Sequence, residues 1–454
     1  MFQIMKLVAI LALLLIGACS GTQSQIETYD IEFQSDLTKS LSQTSLPIDD
    51  TADDTPLKPA PDISFHQWAA KAFVWATASD PNGLPRFMGF KGPDQLLGLP
   101  IPSMITADSF VQADGNLQVG PNGYPVYTTI HMNDSYFNTA KLNLIHGSNN
   151  GYTTQPPDSY FELGAAVFKA TWLRLDTGEQ APAGAFTTQM RVPQLASSVA
   201  GKNTVVNPVT GQFTEVTVAL VGLHVVGYTK NHPEFLWATF EHHLNSPRAA
   251  DGQFSVSAFD PRSYTFYKSN TPYNLANQAF PATLSFDDTK QKFSPSTVTV
   301  LENAVGLETF SSDGAQNIAT VNKSLSSFFA TSPFSNYDLI GTLWLESGFY
   351  NTGTQAALTF GVDQSLGSVN LANSTAETFE QPITNPAPPL KYQNCFMCHN
   401  SGSYTNNSGP SQVPRRIAIS HAITTGSPDF DVPNMISYPT PLVKDSLVGL
   451  KPNL

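Results

Sequence analysis

Residues 213–229 read FTEVTVALVGLHVVGYT, a run long and apolar enough for a buried strand or a hairpin. Its valines and threonines are stiff at χ1 and suit a pleated, half-buried surface better than a helix. Outward from it, YPVYTTIHM (124–132) and AAVFKATWLRL (165–175) are β-branched or aromatic in alternation, the period of a strand. STVTVLE (296–302), DLIGTLWLES (338–347) and QAALTFGV (355–362) add further expected strands. One stretch has helical spacing instead. In SFHQWAAKAFVWATAS (64–79), Trp68, Ala69, Phe73 and Ala76 share a helical face, and the turn at Pro81, Asn82 and Gly83 ends it. With 30 Gly, 34 Pro and only 13% charged residues, strongly helical windows are few. The expectation is an α+β protein: a β-rich body with short helices and an irregular C-terminal segment.

The 454 residues are 41% hydrophobic, enough to bury a large core, up to two domains' worth. The formal net charge of −13 argues against nucleic acid or anionic lipid as a partner. It would suit a basic electron-transfer partner, although a solvated acidic surface is the commoner reason.

The first residues, MFQIMKLVAILALLLIGACSG, carry one early cation, Lys6, then an apolar run from Leu7 to Ile16. That run is too short for a permanent span and reads as the core of a secretory signal. Ile16-Gly17-Ala18-Cys19 looks like a bacterial lipobox, in which Cys19 is acylated and becomes the first mature residue. Removing residues 1–18 takes away Lys6 and moves the charge from −13 to −14. Ser20, rather than Asp, favours the outer membrane, and the acyl chains bury enough CH₂ groups to anchor stably. Residues 19–60 are polar, acidic and increasingly Pro-rich, and are expected to be a flexible tether. The β-rich body is then expected over 61–385, with the last segment, 386–454, packed on it.

That segment opens with a Pro-stiffened approach, ITNPAPPLKYQ (383–393 with the following Asn394 excluded), to NCFMCHN (394–400). The chain has three cysteines, and Cys395 and Cys398 stand three apart with His399 following. Two thiols able to close thioethers on two vinyl groups, beside an imidazole able to bind iron, are what covalent haem attachment needs. Export supplies the compartment for that chemistry. A thioredoxin-like dithiol would sit between a strand and a helix, but here NSGSYTNNSGP follows. Structural zinc would need two further ligands, and no second cysteine pair exists. A disulfide three residues apart would be strained and close almost no loop. The expectation is one covalent haem c held by Cys395 and Cys398, with His399 as proximal iron ligand.

Phe396 and Met397 read as spacers, and Met397 cannot reach the opposite face of the iron. Distal candidates are Met435 in PDFDVPNMISYP, His421 as the nearest histidine in sequence, His224 in VGLHVVG, and His242 (or its neighbour His243) in LWATFEHHLN. Arg415 and Arg416 could pair with haem propionates or be a solvated pair. Glu241 beside His242 could act as an acid/base pair or merely hold a salt bridge. HGSNNG at 146 reads as a turn and not as a phosphate cradle.

Four segments together resemble a group of bacterial proteins described as monohaem "cytochrome c family protein". SFHQWAAKAFVWAT is similar to that group's opening helix, and AAVFKATWLRL to its Lys-Ala-Trp strand. VGLHVVGYTKNHPEFLWATFEHHLNSP and LANSTAETFEQP, the latter leading into NCFMCHN, complete the resemblance, which covers about 63–400. The resemblance implies exported, covalently bound haem and moves His224, Glu241 and His242 toward the haem pocket. It implies no particular substrate, and residues 426–454 depart from its pattern. Three functions stay open: a lipid-tethered one-electron carrier serving a redox partner protein in the envelope, a haem enzyme of peroxidase or oxygenase type with an open iron site, and a binding lipoprotein with structural or sensory haem.

Overall fold

A computed structural model describes residues 31–49, 62–96, 98–112, 115–150, 161–232, 234–249, 256–279, 283–302, 314–345, 365–381, 394–399 and 436–439. The signal over 1–18, Cys19, the strand expected at 355–362, Arg415, Arg416, His421 and Met435 lie outside the described residues.

The helices are α1 (31–42), α2 (Asp62–Thr77), α3 (Pro93–Leu96), α4 (Asp134–Asn150), α5 (Gly314–Phe329) and α6 (Cys395–Cys398). The strands are β1 (Val126–Met132), β2 (Ala166–Arg174), β3 (Thr187–Ala200), β4 (Asn203–Gly227), β5 (Leu236–His242), β6 (Arg248–Ala249), β7 (Ser285–Asp287), β8 (Lys292–Ser294), β9 (Leu301–Glu302), β10 (Tyr337–Leu345), β11 (Ser365–Gly367) and β12 (Ile436–Pro439). Eight of them form one antiparallel sheet in the order β1-β2-β4-β5-β10-β11, with β3 and β12 also paired to β4. The chain is an α+β protein with a β-rich body. Among the described residues no helix is long and apolar enough to cross a membrane.

Side chains alternate across a strand, so the sheet has two distinct faces. Leu236, Ala238 and Phe240 of β5 join Leu223 and Val225 of β4 in the larger core under α2 and α5. Phe73 of α2 stacks on Phe240 at 4.1 Å between ring centroids, and Phe65 stacks on Trp344 at 4.0 Å. The helix at 64–79 expected from Trp68, Ala69, Phe73 and Ala76 is α2, and all four residues are buried. Trp237 of β5 lies in a second core with Val226, Leu343, Phe396 and, from α4, Tyr136 and Phe137.

The tether expected over 19–60 is corrected by residues 31–49. Phe33, Leu37 and Leu46 are buried in the larger core, each worth about 1.5–3 kcal/mol when fully buried. The indoles of Trp68 and Trp75 donate to the carbonyls of Pro47 (2.9 Å) and Gln43 (3.1 Å). Phe33 and Leu37 stand one helical turn apart, a local pattern that the polar average of the segment conceals. Two smaller expectations are also corrected. His146 to Asn150 continue α4 instead of turning, and of STVTVLE only Leu301 and Glu302 are strand, paired in parallel with β6.

Residues 368–378 lie flat on the second face because glycines let them. A Cβ on Gly222 would stand 2.5 Å from Thr375 Oγ1 and 2.6 Å from Thr171 Oγ1. One on Gly341 would collide with Ser368 Oγ. Asn373 Nδ2 donates to Thr239 Oγ1 at 2.7 Å, and the Thr171 and Thr375 hydroxyls meet at 2.7 Å. Ser374 donates its backbone N–H to Glu241 Oε1 at 2.7 Å and its hydroxyl to Oε2.

Candidate functional site

CFMC forms a single helical turn, α6, and the sequence accounts for its start. Asn394 is the N-cap: its Oδ1 accepts from Phe396 N at 3.0 Å, satisfying a donor the turn would leave orphaned. The same side chain donates through Nδ2 to Val369 O at 2.8 Å, just past β11. One amide thus starts the turn and ties it to the sheet. The His399 amide donates to Cys395 O at 2.8 Å and closes the turn. Helical positions i, i+3 and i+4 share a face, so this backbone places residues 395, 398 and 399 together.

Phe396 points elsewhere and is 1% exposed. Its ring meets Trp237 edge-on at 6.0 Å and 72°. The imidazole of His399 lies 4.6 Å from the same indole, tilted by 41°. Trp237 is itself fixed by donating through Nε1 to Glu234 O at 3.1 Å. Cys395 is half-buried against the second core, and His399 is half-exposed.

These residues fit a covalently held haem. The helical turn sets backbone positions 395, 398 and 399 on one side, the arrangement that a Cys-x-x-Cys-His attachment calls for. Asn394 and Phe396 anchor the turn on Val369 and Trp237, and the His399 ring rests against the same indole.

Of the remaining candidates, His224 and Glu241 share the sheet face of Trp237, whereas His242 does not. His224 pairs in register with Thr239, two residues along from Trp237. Its Nε2 meets Glu377 Oε2 at 2.9 Å, and Lys169 Nζ meets Glu377 Oε1 at 2.8 Å. Burial works to raise the Glu377 pKa, but His224 and Lys169 outweigh it and hold the carboxyl well below its ordinary value. Glu377 comes from the NSTAETF stretch, so that motif delivers a carboxylate to the sheet as well as the hydroxyls that pin it.

His242 packs edge-on to Tyr337 at 5.3 Å, on the side of the larger core. Leu244 N donates to its Nδ1 at 3.2 Å, so the proton sits on Nε2, which donates to Ala183 O at 3.2 Å. Burial, then neighbouring His243, push its pKa down to about 4. Glu241 faces the other way: besides Ser374 it accepts from Asn245 Nδ2 at 3.2 Å, while burial raises its pKa. Glu241 and His242 thus project from opposite faces of β5 and do not form an acid/base pair with each other. Trp237 and Lys169 went unremarked in the sequence as site residues. Trp237 lies two residues before Thr239 in a strand whose seven residues are all buried, so no period marks it.

No family model, curated protein or solved structure matches this chain.

Proposed function

We propose that this protein is a lipid-anchored monohaem c-type cytochrome that passes one electron at a time in the bacterial envelope. The observation that carries the reading is α6: a Cys-x-x-Cys-His sequence folded as one capped helical turn and docked through Phe396 on Trp237. Haem c, when bound, supplies a one-electron iron couple whose potential follows axial ligand, burial and hydrogen bonding. Cys395 and Cys398 would hold it through thioethers, and His399 would give the proximal nitrogen. The Trp237 indole limits how the His399 ring can turn, and Asn394 keeps the backbone of the turn in register with the sheet.

Among the distal candidates, His224 lies on the same sheet face as Trp237, and its Nε2 would have to leave Glu377 to bind an iron. His242 is committed to Ala183 and Leu244 on the other face. In this reading residues 1–18 are the lipoprotein signal, Cys19 carries the lipid, and the partner is a redox protein of the envelope. The resemblance to monohaem cytochrome c family proteins agrees with it. The test is intact mass after expression in cells competent for haem attachment. The wild type should gain the mass of one haem and the Cys395→Ala/Cys398→Ala variant none; an unmodified wild-type mass removes the reading.

A further inference from the structure

Beyond the C-terminal end of β5, a cleft of about 270 Å³ opens between β6, the start of β10 and the loop carrying Arg262. It is slightly smaller than the pockets that hold drug-sized ligands, so its occupant must be small. Hydrogen-bond donors line it, and they are poorly employed. Ser246 is among the residues lining the cleft and is 9% exposed, and its buried Oγ has no hydrogen-bond partner. A buried hydroxyl left unpaired is a standing cost that a bound acceptor would remove.

Arg248 reaches Asp338 only at 3.5 Å, through Nη2, the outer limit of a hydrogen bond. A guanidinium has five N–H donors, so most of this one's capacity is unspent. Arg262 is fastened to Asp260 through Nε (3.0 Å) and Nη2 (2.7 Å), which presents a pre-oriented guanidinium at the rim.

The acidic neighbours are accounted for. Asp260 is spent on Arg262 and on the Tyr264 hydroxyl. Glu241 gives its oxygens to Ser374 and Asn245. Asp338, the register partner of Glu241 across β5 and β10, competes for Arg248 directly, and the Glu241 carboxylate attracts the same guanidinium from a greater remove.

We propose that this cleft binds the oxyanion head of a small molecule, a carboxylate or a phosphate, gripped by Arg248 and Ser246 with Arg262 at the rim. An oxyanion offers the planar or clustered acceptors that a guanidinium fork matches. It would draw Arg248 from Asp338 and satisfy Ser246. The proposal goes beyond electron transfer and does not depend on haem: it stands or falls in protein that carries none.

The experiment is calorimetric titration of the full-length protein at low ionic strength, with inorganic phosphate in one arm and succinate in the other. A single saturable site is expected in at least one arm, and the arm that saturates names the source. Arg248→Gln, which alters a half-exposed side chain, should weaken that binding tenfold or more. Asp338→Asn should tighten it severalfold by releasing Arg248, an effect that mere loss of structure would not give. Lys39→Gln, on α1, should change nothing. Absence of a saturable site in both arms, affinity untouched by Arg248→Gln, or affinity weakened by Asp338→Asn would each overturn the assignment.

Discussion

Phe396→Ala is the substitution that most directly probes how the Cys-x-x-Cys-His turn is held. The wild-type ring is 1% exposed and meets Trp237 edge-on at 6.0 Å. Removing it forfeits about 1.5–3 kcal/mol of apolar burial and about 0.5–1.5 kcal/mol of aromatic contact. The sum, about 2–4.5 kcal/mol, is lost from the docking of six residues that are also held by the Asn394 side chain on Val369 and by the His399 ring against Trp237. At about 1.4 kcal/mol per decade, the undocked population rises roughly 30- to 1,600-fold. Amide hydrogen exchange reads this directly, because local openings report their own free energy. The His399 amide, which donates to Cys395 O in the docked turn, should exchange faster by that factor. Amides of β4 and β5 should keep their wild-type rates. Unchanged exchange at His399 would refute the docking argument. Equal acceleration throughout the sheet would show that the turn and the body open as one unit.

Glu377→Gln should destabilise the fold by about 1–3 kcal/mol in urea denaturation at neutral pH, because Lys169 and His224 lose their shared anion on a mostly covered face. The Glu377 pKa is lower folded than unfolded, so its contribution is present above the ordinary value of 4.5 and fades as pH falls below it; the variant should lack that acid-side loss. His242 behaves alike over a different range. Its folded value of about 4 lies below the ordinary 6.5, so stability should fall by on the order of 3 kcal/mol between those pH values, and His242→Gln should flatten the slope there. Gly222→Ala should cost about 1–3 kcal/mol by overpacking against the Thr171 and Thr375 hydroxyls. Adding Thr375→Ala should return part of that loss; strictly additive losses would argue against the contact.

Much of the sheet was legible because β1, β2 and the second half of β4 are dense in β-branched or aromatic residues. The first half of β4 and all of β3 were not, since Thr, Ser, Asn and Gln on an exposed pair read as loop, and their pairing is between segments far from the core pattern. β5 hides for another reason: Ala238, Glu241 and His242 break up its β-branched and aromatic residues. In the site, the Cys-x-x-Cys-His triplet and the Asn before it could be read directly, whereas its docking partner could not. Trp237 is 158 residues before Cys395 in the chain (395 − 237), and only the sheet brings them together. Glu377, likewise, is tied to His224 and Lys169 by register and not by sequence distance.

The most direct test of the central claim is the absorption spectrum of the exported protein, freed from lipid by Cys19→Ser and recorded oxidised, reduced, and reduced with carbon monoxide. The account predicts a Soret band with sharp reduced α and β bands that carbon monoxide leaves unchanged, the mark of a six-coordinate carrier. A carbon monoxide shift would contradict the carrier and point to an enzyme with an open iron. No Soret band, from cells competent in haem attachment, would contradict the haem itself.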